Sequence, residues 1–173
     1  MTLDELNALD ARAAERSLLR CCGSTAWAAR MAAARPFDGV ESLLAAADRV
    51  WRALEESDWR QAFAAHPNIG SEAPRGGSRE TSTARWSAQE QAGMAAADSS
   101  VRDRLAAKNR EYEARFGYIF IVCATGKSAD EMLELLERRL THDPASEIHF
   151  AAEEQRQITR LRLHKLLAED ARG

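Results

Sequence analysis

His66 lies where its imidazole could exchange a proton with a bound molecule. It stands in the sequence Ala-Ala-His-Pro-Asn-Ile-Gly, at the end of a predicted helix and the start of a long polar loop. An imidazole at a helix end can be partly desolvated and still reach solvent, which suits general acid or base catalysis near neutral pH. A histidine there can also simply stabilise the negative end of the helix dipole. The motif alone leaves both interpretations open.

Glu90 is a second candidate, because a carboxylate can accept protons or bind N–H groups of a ligand. It is the third residue after Ser87, and this S-x-x-E spacing is also that of a capping box at a helix start. The same spacing occurs at Ser128 and Glu131. Glu90 can cap its helix in the free protein and still face a ligand, so the two roles remain compatible.

Arg162 is a candidate anion-binding residue by helical phase. At 100° per residue, the last predicted helix places Arg162 on its apolar face and Arg160 on the opposite face. Asn109 is similarly directed at the core from the preceding long helix. A buried arginine needs an anionic or carbonyl partner, because an unpaired buried charge is very costly. Both side chains could instead be satisfied polar groups that tie helices together.

The cysteines and the remaining histidines suggest no metal or disulfide. Cys21 and Cys22 are adjacent and Cys123 makes the number odd, so we expect reduced thiols in a reducing compartment. Cys123 is predicted to be a small core residue. Three histidines lack metal-like spacing with the cysteines and are predicted to lie on the surface: His142, His149 and His164.

Composition excludes several classes of protein. The 173 residues predict one domain, 1–173, and carry 24 Lys plus Arg against 27 Asp plus Glu, a net charge of −3. That sign disfavours a nucleic-acid partner. The chain lacks a run of about 18 apolar residues and begins with an acidic segment, so we expect no membrane span and a cytoplasmic protein.

The predicted fold is an all-α bundle of about seven to nine helices. The 34 alanines, with only 9 glycines and 4 prolines, favour closely packed helices. One long loop follows His66-Pro67 and ends at Trp86. The apolar run from Gly117 to Cys123 has no second strand candidate to pair with, so it is predicted to be a buried extended connection. Other helices are predicted at Thr2–Leu19, Trp27–Ala34, Glu41–Leu54, Asp58–His66 and Pro144–Leu167.

An ordered series of motifs resembles one enzyme family, the 2-oxo-4-hydroxy-4-carboxy-5-ureidoimidazoline (OHCU) decarboxylases. The series spans nearly the whole chain: Leu6 to Leu9, Trp27, Arg35 to Phe37, Ala65 to Pro67, Ile69-Gly70, Trp86-Ser87, Glu90 to Gly93, Asn109, Tyr112, Phe116-Gly117, Phe120-Ile121, Asp143-Pro144, Glu147, and Ile158 to Leu163. One such motif would be weak, whereas the ordered series is specific.

The resemblance implies an all-helical homodimer that converts OHCU to (S)-allantoin in urate breakdown, with no metal and no organic cofactor. It implies that His66 and Glu90 are catalytic and that Arg162 anchors the substrate. The remaining implied substrate-binding positions are Pro67, Ser87, Gln91, Ile119, Phe120 and Ile121, the last three through their backbone. The small-molecule substrate would be the protein's main partner.

Two other functions remain open at this point. The same fold could decarboxylate another ureido or β-keto-type acid, because such a pocket recognises general carbonyl and N–H groups. The chain could also be a non-catalytic helical interaction module, which predicts an exposed apolar stripe and indifference to the loss of His66.

Overall fold

The computed structural model describes residues 1–67, 86, 89–90, 92 and 97–168. Eight helices have their bounds within these residues, and none of the residues forms a strand. The helices are α1 (Leu3–Ala8), α2 (Ala11–Leu19), α3 (Thr25–Ala33), α4 (Val40–Arg52), α5 (Glu56–Ala64), α6 (Ser99–Phe116), α7 (Ala129–Arg139) and α8 (Pro144–Ala168). The all-α prediction is therefore confirmed. Most of the predicted loop after His66-Pro67 lies outside the described residues.

The chain divides into two compact units. The first unit consists of Met1–Ala62 with Gln155–Gly173, and the second consists of Phe63–Glu154. The division falls inside α5 and α8, so each of these helices contributes residues to both units. The prediction of a single domain stays a prediction.

In the first unit, α3 packs against both α2 and α4. Trp27 of α3 is completely buried, and its indole N–H donates to the carbonyl of Ala47 in α4 at 3.2 Å. Ser24 begins α3 by accepting the Trp27 backbone N–H on its hydroxyl. The indole therefore supplies apolar area to the core while its polar atom is satisfied.

The predicted first helix, Thr2–Leu19, is two helices. Leu9 has ψ of 148°, which ends α1, and the Asp10 carboxylate accepts the Ala13 N–H at 2.8 Å as the N-cap of α2. The apolar spacing of the two helices continues across the break, which is why periodicity alone predicted one helix. Asp is a favoured N-cap residue, and here that local preference prevails.

Arg35 closes the end of α1. Its Nη1 donates to the carbonyls of Leu6 at 2.6 Å and Leu9 at 2.7 Å, and its Nε donates to Ala32 at 3.0 Å. The last carbonyls of a helix have no partner within the helix, so a charged donor at this point satisfies them.

In the second unit, α6 and α7 pack together. Gly117 ends α6 with φ of 76°, and its N–H donates to the Glu113 carbonyl at 2.8 Å. A residue with a side chain is strained in this left-handed conformation, so glycine suits the position. After this turn the chain enters the connecting segment, residues 118–124, which is neither helix nor strand.

The helical phase predicted for α8 is confirmed. Its predicted inward residues are all buried: Ile148, Ala152, Gln155, Ile158, Arg162 and Leu166. The predicted outward residues are exposed or partly exposed: Glu153, Gln157, Arg160 and His164.

Among the described residues, no helix is both long enough and apolar enough to cross a bilayer.

Replacing Arg35 should destabilise the fold through the carbonyls of α1. We expect Arg35→Gln to lower the free energy of unfolding by about 2 kcal/mol, because charge-assisted hydrogen bonds to four carbonyls, those of Leu6, Asn7, Leu9 and Ala32, are lost or weakened. Chemical denaturation checks this value. Arg12→Gln is the control: Arg12 is exposed on α2, and its loss should change stability by less than about 0.5 kcal/mol. Equal effects of the two changes would contradict this role of Arg35.

Candidate active site

His66 lies just beyond the end of α5 and is half-buried. Its backbone N–H donates to the Phe63 carbonyl at 3.1 Å, and the exposed Pro67 follows it. A residue before proline is pushed out of the helical conformation, so the sequence itself ends the helix here. Phe63 is completely buried, and its ring centroid lies 5.3 Å from that of Tyr118. This contact places the end of α5 beside the start of the connecting segment.

Glu90 is a buried carboxylate, 8% exposed. Glu90 is helical, and its neighbour Gln89 is helical and exposed; Trp86 is helical and buried. Burial is the main cause that raises the pKa of the Cys123 thiol; Lys127 opposes it, and the negative charges of Glu154 and, least of all, Glu90 add smaller upward contributions. Glu90 and Cys123 both belong to the second unit.

The connecting segment is buried over almost its whole length. Phe120 and Ile121 are each 2% exposed, and Ile119 is partly exposed. Side chains satisfy several of its backbone groups: Arg139 Nη1 donates to the Ile121 carbonyl at 2.6 Å, and the Cys123 N–H donates to Glu154 Oε2 at 2.6 Å. These bonds satisfy buried backbone groups of the segment, as hydrogen bonds from a neighbouring strand do in a sheet.

Arg139 and Glu147 form a buried ion pair, and Arg139 contacts this segment. Glu147 is completely buried and Arg139 is 5% exposed, and Arg139 Nε donates to Glu147 Oε1 at 2.7 Å. The Tyr112 hydroxyl donates to the same carboxylate oxygen. Burial raises the pKa of Tyr112, so its phenol stays protonated and remains a donor. The Arg139 guanidinium also lies 4.7 Å from the centroid of the Phe120 ring.

His142 is less exposed than predicted. His142 is half-buried, with Nδ1 2.7 Å from Glu147 Oε2, and its ring lies 4.6 Å from that of the exposed Phe150. The buried carboxylate has a second oxygen to satisfy, and the imidazole five residues before it can reach that oxygen. His149 and His164 are exposed, as predicted.

The second unit thus contains most of the candidate site. His66, Glu90 and the connecting segment, which includes Ile119, Phe120 and Ile121, belong to this unit. Phe63, three residues before His66, contacts Tyr118 at the start of the segment. Ser87 and Gln91, and with Ser87 the capping box of Glu90, lie outside the described residues. In the part of the chain that the structure describes, no three His, Cys, Asp or Glu side chains are grouped to hold a metal ion.

Arg162 belongs to the first unit and is 3% exposed. Burial raises the pKa of the neighbouring Cys22 thiol to about 11, against smaller downward effects of Ser24, Thr159 and the Arg162 charge. Arg160 differs: it is partly exposed, and its Nη1 donates to the Asp48 carboxylate at 3.0 Å. Helical phase therefore correctly predicted that Arg162 is buried and that Arg160 is more exposed.

Sequence reasoning missed Arg139. It noted Tyr112 and Glu147 as family landmarks, but it gave neither residue a role. A usable signal existed, because Arg139 follows the buried Met132 and Leu136 at helical spacing on α7. The helical phase that identified Arg162 as an inward arginine identifies Arg139 equally.

Comparison with known proteins agrees with this fold. The family model described as OHCU decarboxylase matches residues 7–164. Uric acid degradation bifunctional protein TTL of Arabidopsis thaliana is 37% identical over 153 residues, which cover 88% of this chain and 47% of that protein. This chain thus spans about half of that relative's length. The 2-oxo-4-hydroxy-4-carboxy-5-ureidoimidazoline decarboxylase of Amia calva is 30% identical over 141 residues, 81% of this chain and 79% of that protein.

A solved structure is also similar. The crystal structure of OHCU decarboxylase in the presence of (S)-allantoin superposes with a TM-score of 0.75 at 34% identity, covering 87% of this chain and 96% of that one. The family model spans most of the sequence, and sequence and fold agree across most of both chains. This chain therefore belongs to the OHCU decarboxylase family.

Proposed function

We propose that this chain is a carboxy-lyase that converts OHCU to (S)-allantoin in urate breakdown. Family membership and the similar structure determined with (S)-allantoin support the reaction class and the product. The observation that carries the proposal is the match of the family model to residues 7–164. A half-buried histidine, His66, and a buried carboxylate, Glu90, belong to the same compact unit as the buried, non-helical segment 118–124.

The substrate explains how so few side chains can suffice. Its departing carboxylate is on a carbon that also carries a hydroxyl and is bonded to a ring C=N carbon. When the bond to the carboxylate breaks, its electron pair forms a C=C bond to the C=N carbon, the π electrons of C=N move to the ring nitrogen, which takes a proton, and CO₂ leaves. An enol remains, and it becomes allantoin when the former C=N carbon takes a proton and the hydroxyl becomes a carbonyl. The protein must orient the substrate and manage protons.

The residues divide these tasks. His66 orients or deprotonates the hydroxyl as the enol forms, because a half-buried imidazole can hold or release a proton near neutral pH. Glu90 accepts hydrogen bonds from ring or ureido N–H groups, and its burial strengthens them. Arg162 binds a carbonyl or a negative charge of the substrate. Protonation of the enol on one face sets the S configuration.

The remaining binding positions follow the family resemblance. Pro67, Ser87 and Gln91 are proposed to contact the substrate. The backbone of the stretch from Ile119 to Ile121 is proposed to bind its polar edge through groups other than the Ile121 carbonyl, which Arg139 occupies. The homodimer and the cytoplasmic location stay predictions from the sequence.

Loss of either proposed catalytic side chain should greatly reduce decarboxylation. We expect His66→Ala to lower kcat about 10²–10⁴-fold, the usual effect of losing general acid–base catalysis. Glu90→Ala should lower kcat about 10²-fold or more, because a buried, charged hydrogen-bond acceptor for the reacting substrate is lost. The measurement is the decay of freshly generated substrate above its spontaneous rate. His164→Ala is the matched control, because His164 is exposed on α8 and should leave kcat unchanged. Rates within about threefold of the unmodified chain for both His66→Ala and Glu90→Ala would refute the assignment.

Arg162 and Arg160 should differ sharply in their effect on activity. We expect Arg162→Gln to reduce kcat/KM about 10²-fold or more, because a buried charge-assisted interaction with the substrate is lost. Arg160→Gln removes one of two arginines that pair with Asp48 and should leave kcat/KM within about threefold. Steady-state kinetics on both folded variants tests this difference. The reverse pattern would assign the anchoring role to Arg160.

A further inference from the structure

We infer that the Arg139–Glu147 ion pair is a positioning device for the proposed site, holding one edge of the connecting segment so that its opposite edge is free to bind substrate. This inference rests on the proposed function. It assigns a role to two side chains that are not themselves expected to touch the substrate.

The direction of the segment's backbone groups is the first step. Tyr118 and Phe120 are two residues apart, and both rings contact Tyr112, at centroid distances of 5.8 and 5.3 Å. Side chains two residues apart fall on the same side only when the chain is extended. In an extended chain, the N–H and C=O of one residue point to one edge, and those of the next residue point to the opposite edge.

The side chains that form hydrogen bonds with the backbone of the segment all lie along one of its two edges. The Ile121 carbonyl accepts from Arg139, the Cys123 N–H donates to Glu154, and the Cys123 carbonyl accepts from Lys127 Nζ at 2.7 Å. These are odd-numbered residues. Among the described residues, the backbone groups of Ile119, Phe120 and Val122 find no hydrogen-bond partner; Ile119 is partly exposed, whereas Phe120 and Val122 are buried. Buried backbone groups are rarely left unpaired, so this second edge suits a polar ligand.

Arg139 is held so that it can satisfy only the first edge. Its Nε donates to Glu147, its Nη2 donates to the Tyr112 hydroxyl at 3.2 Å, and its Nη1 donates to Ile121. The planar guanidinium has fixed donor directions, so these three bonds together determine the position of the Ile121 carbonyl. A lysine has one nitrogen and cannot span the same three partners.

The ion pair should therefore affect the binding of the substrate and not the rate of the chemical step. If Arg139 no longer bonds to the Ile121 carbonyl, the backbone groups of Phe120 and Val122 lose their alignment. The catalytic side chains of His66 and Glu90 are not changed by the substitution. Interactions made equally to substrate and transition state affect KM and leave kcat unchanged. A purely structural role would instead reduce the fraction of folded enzyme, which lowers apparent kcat and leaves KM unchanged.

Steady-state kinetics on the full chain tests the inference. We expect Arg139→Lys to raise KM about tenfold or more with kcat within about threefold. Because a buried Glu147 without its arginine can prevent folding, the double variant Arg139→Met/Glu147→Gln is measured as well. It removes both charges, retains an amide partner for Tyr112, and should raise KM by a similar factor.

Two controls separate positioning from stability. Arg104→Gln removes an exposed ion pair of the second unit, with Glu137 at 2.8 Å, and leaves all three bonds of Arg139 in place, so its KM should stay within about twofold of the unmodified value. Arg35→Gln destabilises the first unit and should leave KM unchanged. An active unmodified chain, with folded Arg139 variants whose KM is unchanged, would overturn this inference alone. An unmodified chain without decarboxylase activity would overturn it together with the proposed function.

Discussion

A buried backbone segment with no strand beside it among the described residues is the constraint around which the second unit is organised. Residues 118–124 are neither helix nor strand, and all of them except Ile119 are buried. Each unsatisfied group would cost about 1–3 kcal/mol. Arg139, Glu154 and Lys127 supply partners from outside the segment. The need for these partners explains why charged side chains are buried beside an apolar sequence.

The ion pair behind the segment is stable only as part of a network. Removing two charges from water is expensive, and the attraction between them compensates only when further hydrogen bonds satisfy the remaining atoms. Both carboxylate oxygens of Glu147 have partners, one in Arg139 and Tyr112 and the other in His142. The Phe120 ring below the guanidinium adds a cation–π contact. A network of this kind is rigid, which suits an element that must present backbone groups to a ligand.

Features encoded locally could be predicted from the sequence, and those that depend on distant partners could not. The end of α5 follows from Pro67, and the start of α7 follows from the Ser128–Glu131 capping box, which the structure shows with both hydrogen bonds formed. The inward direction of Arg162 follows from helical period alone. The break at Asp10 also had a local signal, but uniform apolar spacing obscured it.

The partners of Arg139 lie 8, 18 and 27 residues away, and no spacing rule joins them. The phase of α7 could have directed Arg139 inward, yet nothing in the sequence indicates that it would reach the carbonyl of Ile121. His142 was misjudged for the same reason, because its environment is set by the burial of Glu147. Ser87 and Gln91 stay predictions, as does the pairing of Arg162 with a substrate group.

A helical domain with a few placed polar groups can perform a stereospecific decarboxylation when the substrate contains its own electron sink. The direct test is the circular dichroism of allantoin formed by the unmodified chain from freshly generated substrate. We expect a signal of the same sign and size as that of authentic (S)-allantoin, appearing faster than spontaneous decay. Racemic allantoin, formed at the spontaneous rate, would contradict the proposed reaction.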